Sequence, residues 1–206
     1  MTFPDEKFPD AAAYIDAYFA ELARAAASVD RQRLTAAVAI LDAAYQRRAT
    51  LFVCGNGGSA SISNHLACDH GKLVATDTDL LPRIHSLAAN VEVITAIAND
   101  ISYAEVFVHQ LRLSAMPGDV VMTVSSSGDS ENVVRAAEWG RANGCEVVAL
   151  TGLNGGRTAK LASVNLHVAA DNYGVIEDVH QSLMHLMGQF LRQKRMSVEL
   201  IKQRKF

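Results

Sequence analysis

The sequence predicts an α/β protein of three layers, with helices on both faces of a five-stranded parallel sheet and two further helices in front. Two observations predict it. From residue 50 onward, short apolar runs alternate with stretches of helical spacing, the order that produces right-handed crossovers and a parallel sheet. One of those runs, Val120, Val121, Met122, Thr123 and Val124, is continuous rather than alternating, as a strand covered on both faces must be.

In order along the chain, residues 10–27 repeat apolar side chains at helical spacing (Ala13, Tyr14, Ala17, Tyr18, Leu22, Ala26) and form an amphipathic helix. Asp30 is the N-cap of a second, whose apolar face runs from Leu34 through Leu41 to Tyr45. Strands are expected at 51–54, 83–87, 120–124, 146–150 and 164–168. Helices are expected after the first strand, at 96–98 and 103–114, through Val133 to Trp139, briefly after Gly155 and Gly156, and at 173–193. Asn99 and Asp100 read as a break and cap between two helices.

At 206 residues, half of them hydrophobic, the chain is long enough for one sizeable domain over 1–206, with 1–48 as a helical extension suited to oligomer packing. A net charge of −3 gives no general affinity for nucleic acid or anionic membrane, and the basic residues in 192–205 read as a solvated helix end. Cys54, Cys68 and Cys145 form no CxxC pair, and the first residues carry no cationic leader, so a reduced, cytoplasmic protein is expected. Cys68 reads as a core residue. No apolar run approaches the ~20 residues that span a bilayer.

Residues 50–72, TLFVCGNGGSASISNHLACDHGK, concentrate the functional signals. The strand ends at Gly55-Asn56-Gly57-Gly58, and Ser59 reads as the cap of the following helix. Glycines let the backbone approach a ligand closely, and a helix start attracts a phosphate. The pattern is neither GxGxxG nor a P-loop, which argues against a dinucleotide or ATP. After the third strand, Ser125, Ser126, Ser127 and Ser130 surround Gly128 and supply hydroxyl donors at the same end of the sheet. Neutral donors of this kind suit a small phosphate monoester. His65 and Asp69, four apart, share one helix face; on the last helix Glu177, Gln181 and His185 form a polar stripe. Histidines and carboxylates on two helices are ingredients of a Zn²⁺ site if the helices meet. His180 reads as structural, as a support to that site or as an interface group, while His70, His85, His109 and His167 read as structural or surface groups.

The pieces CGNGGS at 54–59, His65 with Asp69, AND at 98–100, SSSGDSEN at 125–132, LTGLNGG at 150–156 and EDVHQSLMH at 177–185 resemble the sugar isomerase (SIS) family, and within it the sedoheptulose 7-phosphate isomerases. The resemblance implies a flavodoxin-like fold and aldose–ketose isomerisation of a phosphorylated seven-carbon sugar through an enediolate. It also implies one Zn²⁺ per subunit and a homotetramer with sites at subunit interfaces. By position, it assigns phosphate and sugar contacts to Asn56, Gly57, Ser59, Asn90, Asn99, Asp100, Ser125, Ser126, Ser127 and Ser130. It assigns the metal to His65, Asp69, Glu177 and His185, with Asp69 or Glu177 as base and His185 as partner acid. Four positions depart from the enterobacterial type: Asp69 stands for Glu, Glu177 for Gln, and Asn90 and Gly174 for acidic residues. The alternatives are a non-catalytic SIS module that binds a sugar phosphate or a protein, and an isomerase of another phosphosugar.

Overall fold

A computed structural model describes residues 2–206. Two helices lead the chain, α1 (Ala11–Ser28) and α2 (Arg31–Gln46), each capped by an aspartate: Asp10 accepts from the Ala13 N–H and Asp30 from those of Gln32 and Arg33. The α/β part follows as β1 (Thr50–Cys54), α3 (Gly58–Lys72), β2 (Arg83–Ser86), α4 (Val91–Asp100), a 3₁₀ turn (Tyr103–Glu105), α5 (Val108–Ser114), β3 (Val120–Ser125), α6 (Glu131–Ala142), β4 (Glu146–Thr151), α7 (Thr158–Leu161), β5 (Val164–His167), α8 (Tyr173–Gln193) and α9 (Val198–Gln203). All strand pairings are parallel, in the order β2-β1-β3-β4-β5. None of the described helices is long and apolar enough to cross a membrane.

Strand periodicity divides the core. Leu51, Val53, Val120, Met122 and Val124 pack with α1, α2, α3 and α8 residues such as Leu41, Tyr45, Leu66 and Met184. Phe52, Cys54 and Val121 face the other way, onto Ile97, Phe107, Leu111 and Val133 of the layer around α4, α5 and α6. Each large side chain buried this way contributes about 1.5–3 kcal/mol.

Four expectations are corrected. Ser59 is not the cap of α3: the helix begins at Gly58, and Gly57 stands at the N-cap with φ 55°, a conformation that favours glycine. The helix expected at 96–98 is longer, running from Val91 to Asp100 with the Asn90 side chain at its N-cap accepting from the Val93 N–H, so Asn99 and Asp100 are its last residues rather than a break after it. Cys68 is exposed rather than in the core. The basic tail is not a solvated helix end: it breaks after α8, forms α9, and is latched by acids far away in sequence. Arg192 is buried and donates to Asp77, which also accepts from Arg204, while Lys194 and Arg195 both donate to Asp42 at 2.7 Å. The phenyl ring of Phe206 covers the Arg192 guanidinium.

Two fully buried histidines tie α8 to the rest. His70 of α3 meets the Met184 carbonyl through Nε2 (3.0 Å) and the Tyr45 hydroxyl through Nδ1 (2.8 Å). Because a carbonyl can only accept, Nε2 carries the proton and Nδ1 accepts from tyrosine. His180 meets the Thr151 carbonyl through Nε2 at 3.2 Å. Burial lowers the proton affinity of both rings, in His180 from 6.5 to about 4. The unfolded chain therefore binds protons below about pH 6.5 that the folded one refuses, so the stabilising contribution is complete above that pH and is lost on acidification. Thermal unfolding followed from pH 8 to pH 4.5 should show stability falling below about pH 6.5, by up to about 1.4 kcal/mol per pH unit for each ring. A flat profile over that window would contradict the neutral buried pair.

Candidate active site

The order β2-β1-β3 places the switch point of the sheet between β1 and β3, since the chain leaves β1 to one side for β2 and returns to the other for β3. Ligands bind in open parallel sheets at the crevice beyond such a point. Here the glycine turn after β1 and the serine loop after β3 fall side by side, and each leads into a helix N-terminus, α3 and α6. Two side chains brace them: the Asn56 and Asn132 amides donate to each other, both at 2.9 Å, and the Tyr103 hydroxyl donates to Asn56 at the same distance. Asn132 and Tyr103 lay within or beside the quoted motifs, but nothing in the sequence marked them as partners of Asn56.

In the serine loop, Ser125 Oγ accepts from the Gly128 N–H and Ser127 Oγ from the Asp129 N–H, leaving both hydroxyl protons free. Ser130 caps α6 without a side-chain bond. Ser126 Oγ is buried with no partner, an arrangement that is costly unless a ligand completes it. The acids nearby are neutralised: Arg157 holds Asp129 (2.7 Å) and Glu131 (2.9 Å), and keeps the Asp129 carboxyl below the usual carboxylate range. Arg135 and Arg157 do the same for Glu131. The serine loop is thus left with neutral donors at the start of α6, beside the start of α3, a combination fit for an anion; Glu177 is the carboxylate at the head of α3 that no arginine holds.

The helices α3 and α8 run side by side, and the polar stripe of α8 faces α3. The Gln181 amide donates to His65 Nδ1 at 2.8 Å and to His185 Nε2 at 3.1 Å. Asp69 lies 3.4 Å from each imidazole, Oδ1 to His65 and Oδ2 to His185. One donor atom from each of His65, Asp69 and His185 falls within 4.8 Å of the others, the one such group among the described residues. Two imidazoles and a carboxylate in this arrangement fit a divalent cation, which would take the ring lone pairs that the Gln181 amide occupies here. A cleft of about 430 Å³, lined by Lys72, Gln189 and Lys205, opens on Asp69 and His185.

Glu177 does not join this set. Its carboxylate packs on Gly58, at the head of α3, where any Cβ would overlap it. Burial, reinforced by Asp178, raises its proton affinity. Position 181, one turn nearer His185, is the α8 residue that reaches both histidines. Asn90 spends its side-chain oxygen on the α4 cap, in a second cleft of about 530 Å³ with Asn64 and Ser86. Asn99 and Asp100 are exposed and bond each other, so the segment after α4 reaches the glycine turn through Tyr103.

A family model described as "SIS domain" matches residues 13–152. The chain belongs to the SIS domain family. It is 40% identical over 164 residues to a phosphoheptose isomerase of Mycobacterium tuberculosis, spanning 78% of this chain and 83% of that protein. A probable phosphoheptose isomerase of Thermoplasma acidophilum is 33% identical over 86% of this chain and 97% of its own. Among solved structures, phosphoheptose isomerase from Neisseria gonorrhoeae superimposes with a TM-score of 0.79 at 29% identity, covering 87% of this chain and 97% of that one.

Two measurements check the site. Elemental analysis should find a bound divalent metal in the unaltered protein and in Glu177→Ala, and its loss in His65→Ala and His185→Ala; equal metal in all four removes the assignment. Ser126→Ala combined with Ser127→Ala should weaken binding of a sugar phosphate by about 1–3 kcal/mol, and Ser126→Ala alone should leave the free protein at least as stable, because the Ser126 hydroxyl has no partner to lose. Unchanged affinity would show that the seat lies elsewhere.

Proposed function

We propose that the chain is an aldose–ketose isomerase that converts sedoheptulose 7-phosphate to D-glycero-D-manno-heptose 7-phosphate, or acts on a closely related heptose 7-phosphate. One observation carries the reading. A single helix, α3, begins at the anion seat and bears His65 about 10 Å and Asp69 about 16 Å further along its axis, both beside His185. A ligand held by its phosphate at the helix start can therefore lay its other end on acid–base groups, so that binding energy becomes alignment of the reacting carbons. Relatives named phosphoheptose isomerase support the same substrate class. A purely binding module has no need of the His–Asp–His set.

Isomerisation moves a proton between C1 and C2, which requires a base for the carbon-bound proton and a second group for the hydroxyl proton. Asp69 lies against both imidazoles and is the base in this reading, with His185 as its partner. Glu177, set apart at the head of α3, is the alternative base. Zn²⁺ held by His65, Asp69 and His185 would supply Lewis-acid stabilisation of the negative charge that develops on the sugar oxygen, and Asp69 acts as base only when it is not tightly coordinated to that ion.

The chain is further read as a homotetramer of single SIS domains. Tyr14, Ile15 and Phe19 on α1 and Leu186 and Phe190 on α8 present large apolar groups to solvent, between 36% and 63% exposed, which supports subunit packing through these helices. The absence of a bilayer-length helix among the described residues is compatible with a cytoplasmic enzyme.

Incubation with sedoheptulose 7-phosphate should yield the aldoheptose 7-phosphate, and Asp69→Asn should lower kcat by about 10²–10⁴-fold, the usual contribution of a general base. Glu177→Gln should keep kcat within about tenfold. The opposite ranking makes Glu177 the base; no turnover by the intact protein favours a binding module.

A further inference from the structure

The Thr151–Gly152 peptide unit is gripped from both sides. Its carbonyl accepts from His180 Nε2 at 3.2 Å, and its N–H donates to the Ser126 carbonyl at 3.0 Å. A peptide unit is planar and stiff, so the two bonds behave as the ends of one short rod. On one end stands α8, the helix that carries Gln181 and His185; on the other stands the middle of the serine loop. The same carbonyl also accepts from the Val168 N–H at 2.8 Å, and the Thr151 hydroxyl meets Asn165 (2.9 Å) and His167 (3.1 Å), so the rod is seated in β5 as well. Hydrogen bonds in series through one amide polarise one another, which stiffens the link further.

We infer that His180 is a positioning residue: through the Thr151–Gly152 peptide it fixes the serine loop at a set distance from the polar stripe of α8. The inference rests on the reading of the serine loop as the phosphate seat. The His180 ring is fully buried, and its Nε2 bond to the Thr151 carbonyl is the one hydrogen bond it makes, Nδ1 having no partner, so that peptide is its polar link to the serine loop. Removing the ring takes away one of the two bonds to the Thr151 carbonyl, the one from α8, and so loosens the Ser126 backbone relative to that helix, while the His65, Asp69 and His185 side chains keep their own contacts.

The test compares His180→Gln, whose amide N–H can reach the position of Nε2, with His180→Leu, which cannot donate. For His180→Leu, KM for sedoheptulose 7-phosphate and the inhibition constant of inorganic phosphate should rise together by about tenfold, the value of one hydrogen bond of ordinary strength, with kcat within about threefold. His180→Gln should restore both constants to within about threefold of the original. Calorimetric titration with inorganic phosphate reads the same change without turnover. Failure of the unaltered protein to turn over the sugar phosphate counts against the isomerase reading alone. Unchanged phosphate affinity in a folded His180→Leu, a loss confined to kcat, or equal losses in both variants overturns the inference. Should His180→Leu not fold, His180→Asn, too short to reach the carbonyl, carries the same expectations.

Discussion

The pairing of β1 with β3 is the constraint on which the site depends. These strands are distant in sequence, yet their register sets Cys54 beside Thr123, so the glycine turn and the serine loop leave the sheet at neighbouring points. Each loop alone is a strand-to-helix connection of ordinary type. Together they bring two helix starts to one place, and the reciprocal Asn56–Asn132 bonds keep them there. An anion at that place meets partial positive charge from both dipoles and several hydroxyl protons, with Asp129 and Glu131 of the serine loop already committed to arginines.

The second constraint is the packing of α3 on α8. In a parallel sheet, helices on one face run in a common direction, so residues at matching heights can be paired: Glu177 with Gly58, Gln181 with His65, His185 with Asp69. The buried seam that enforces this match is built from His70, Met184 and Gly188, where a side chain at position 188 would press on the histidine ring. The exposed side of the same seam carries the polar stripe. Core packing and site geometry are thus two sides of one helix pair.

Charge placement completes the picture at the far end. Asp42 on α2 and Asp77 after α3 collect four cations from α8 and the tail, folding residues 192–206 back over the protein. This return brings Lys205 and Phe206 to the wall of the cleft that opens on Asp69 and His185. Isolated surface pairs of this type contribute little, but Arg192 is 3% exposed and its bonds are shielded from water.

Periodicity and cap chemistry were sufficient to read the five strands, the two leading helices with Asp30 as the cap of the second, and the span of α8, because these depend on residues within a turn or two of one another. The donor-rich loops and the two halves of the His–carboxylate set were legible for the same reason, and so was the resemblance that joined them. What the chain could not declare locally were contacts between distant elements. Gln181 rather than Glu177 meets His65, because helix packing, not spacing along one helix, decides which stripe residue faces which neighbour. Asn90 turns to its own helix cap, where a backbone N–H lies within reach. The tail looked solvated because its partners, Asp42 and Asp77, are more than a hundred residues away. The sequence by itself determined the kinds of groups available and the end of the sheet at which they lie; the tertiary structure alone decided which of them touch, since that is settled by strand order and by the match of two helix faces.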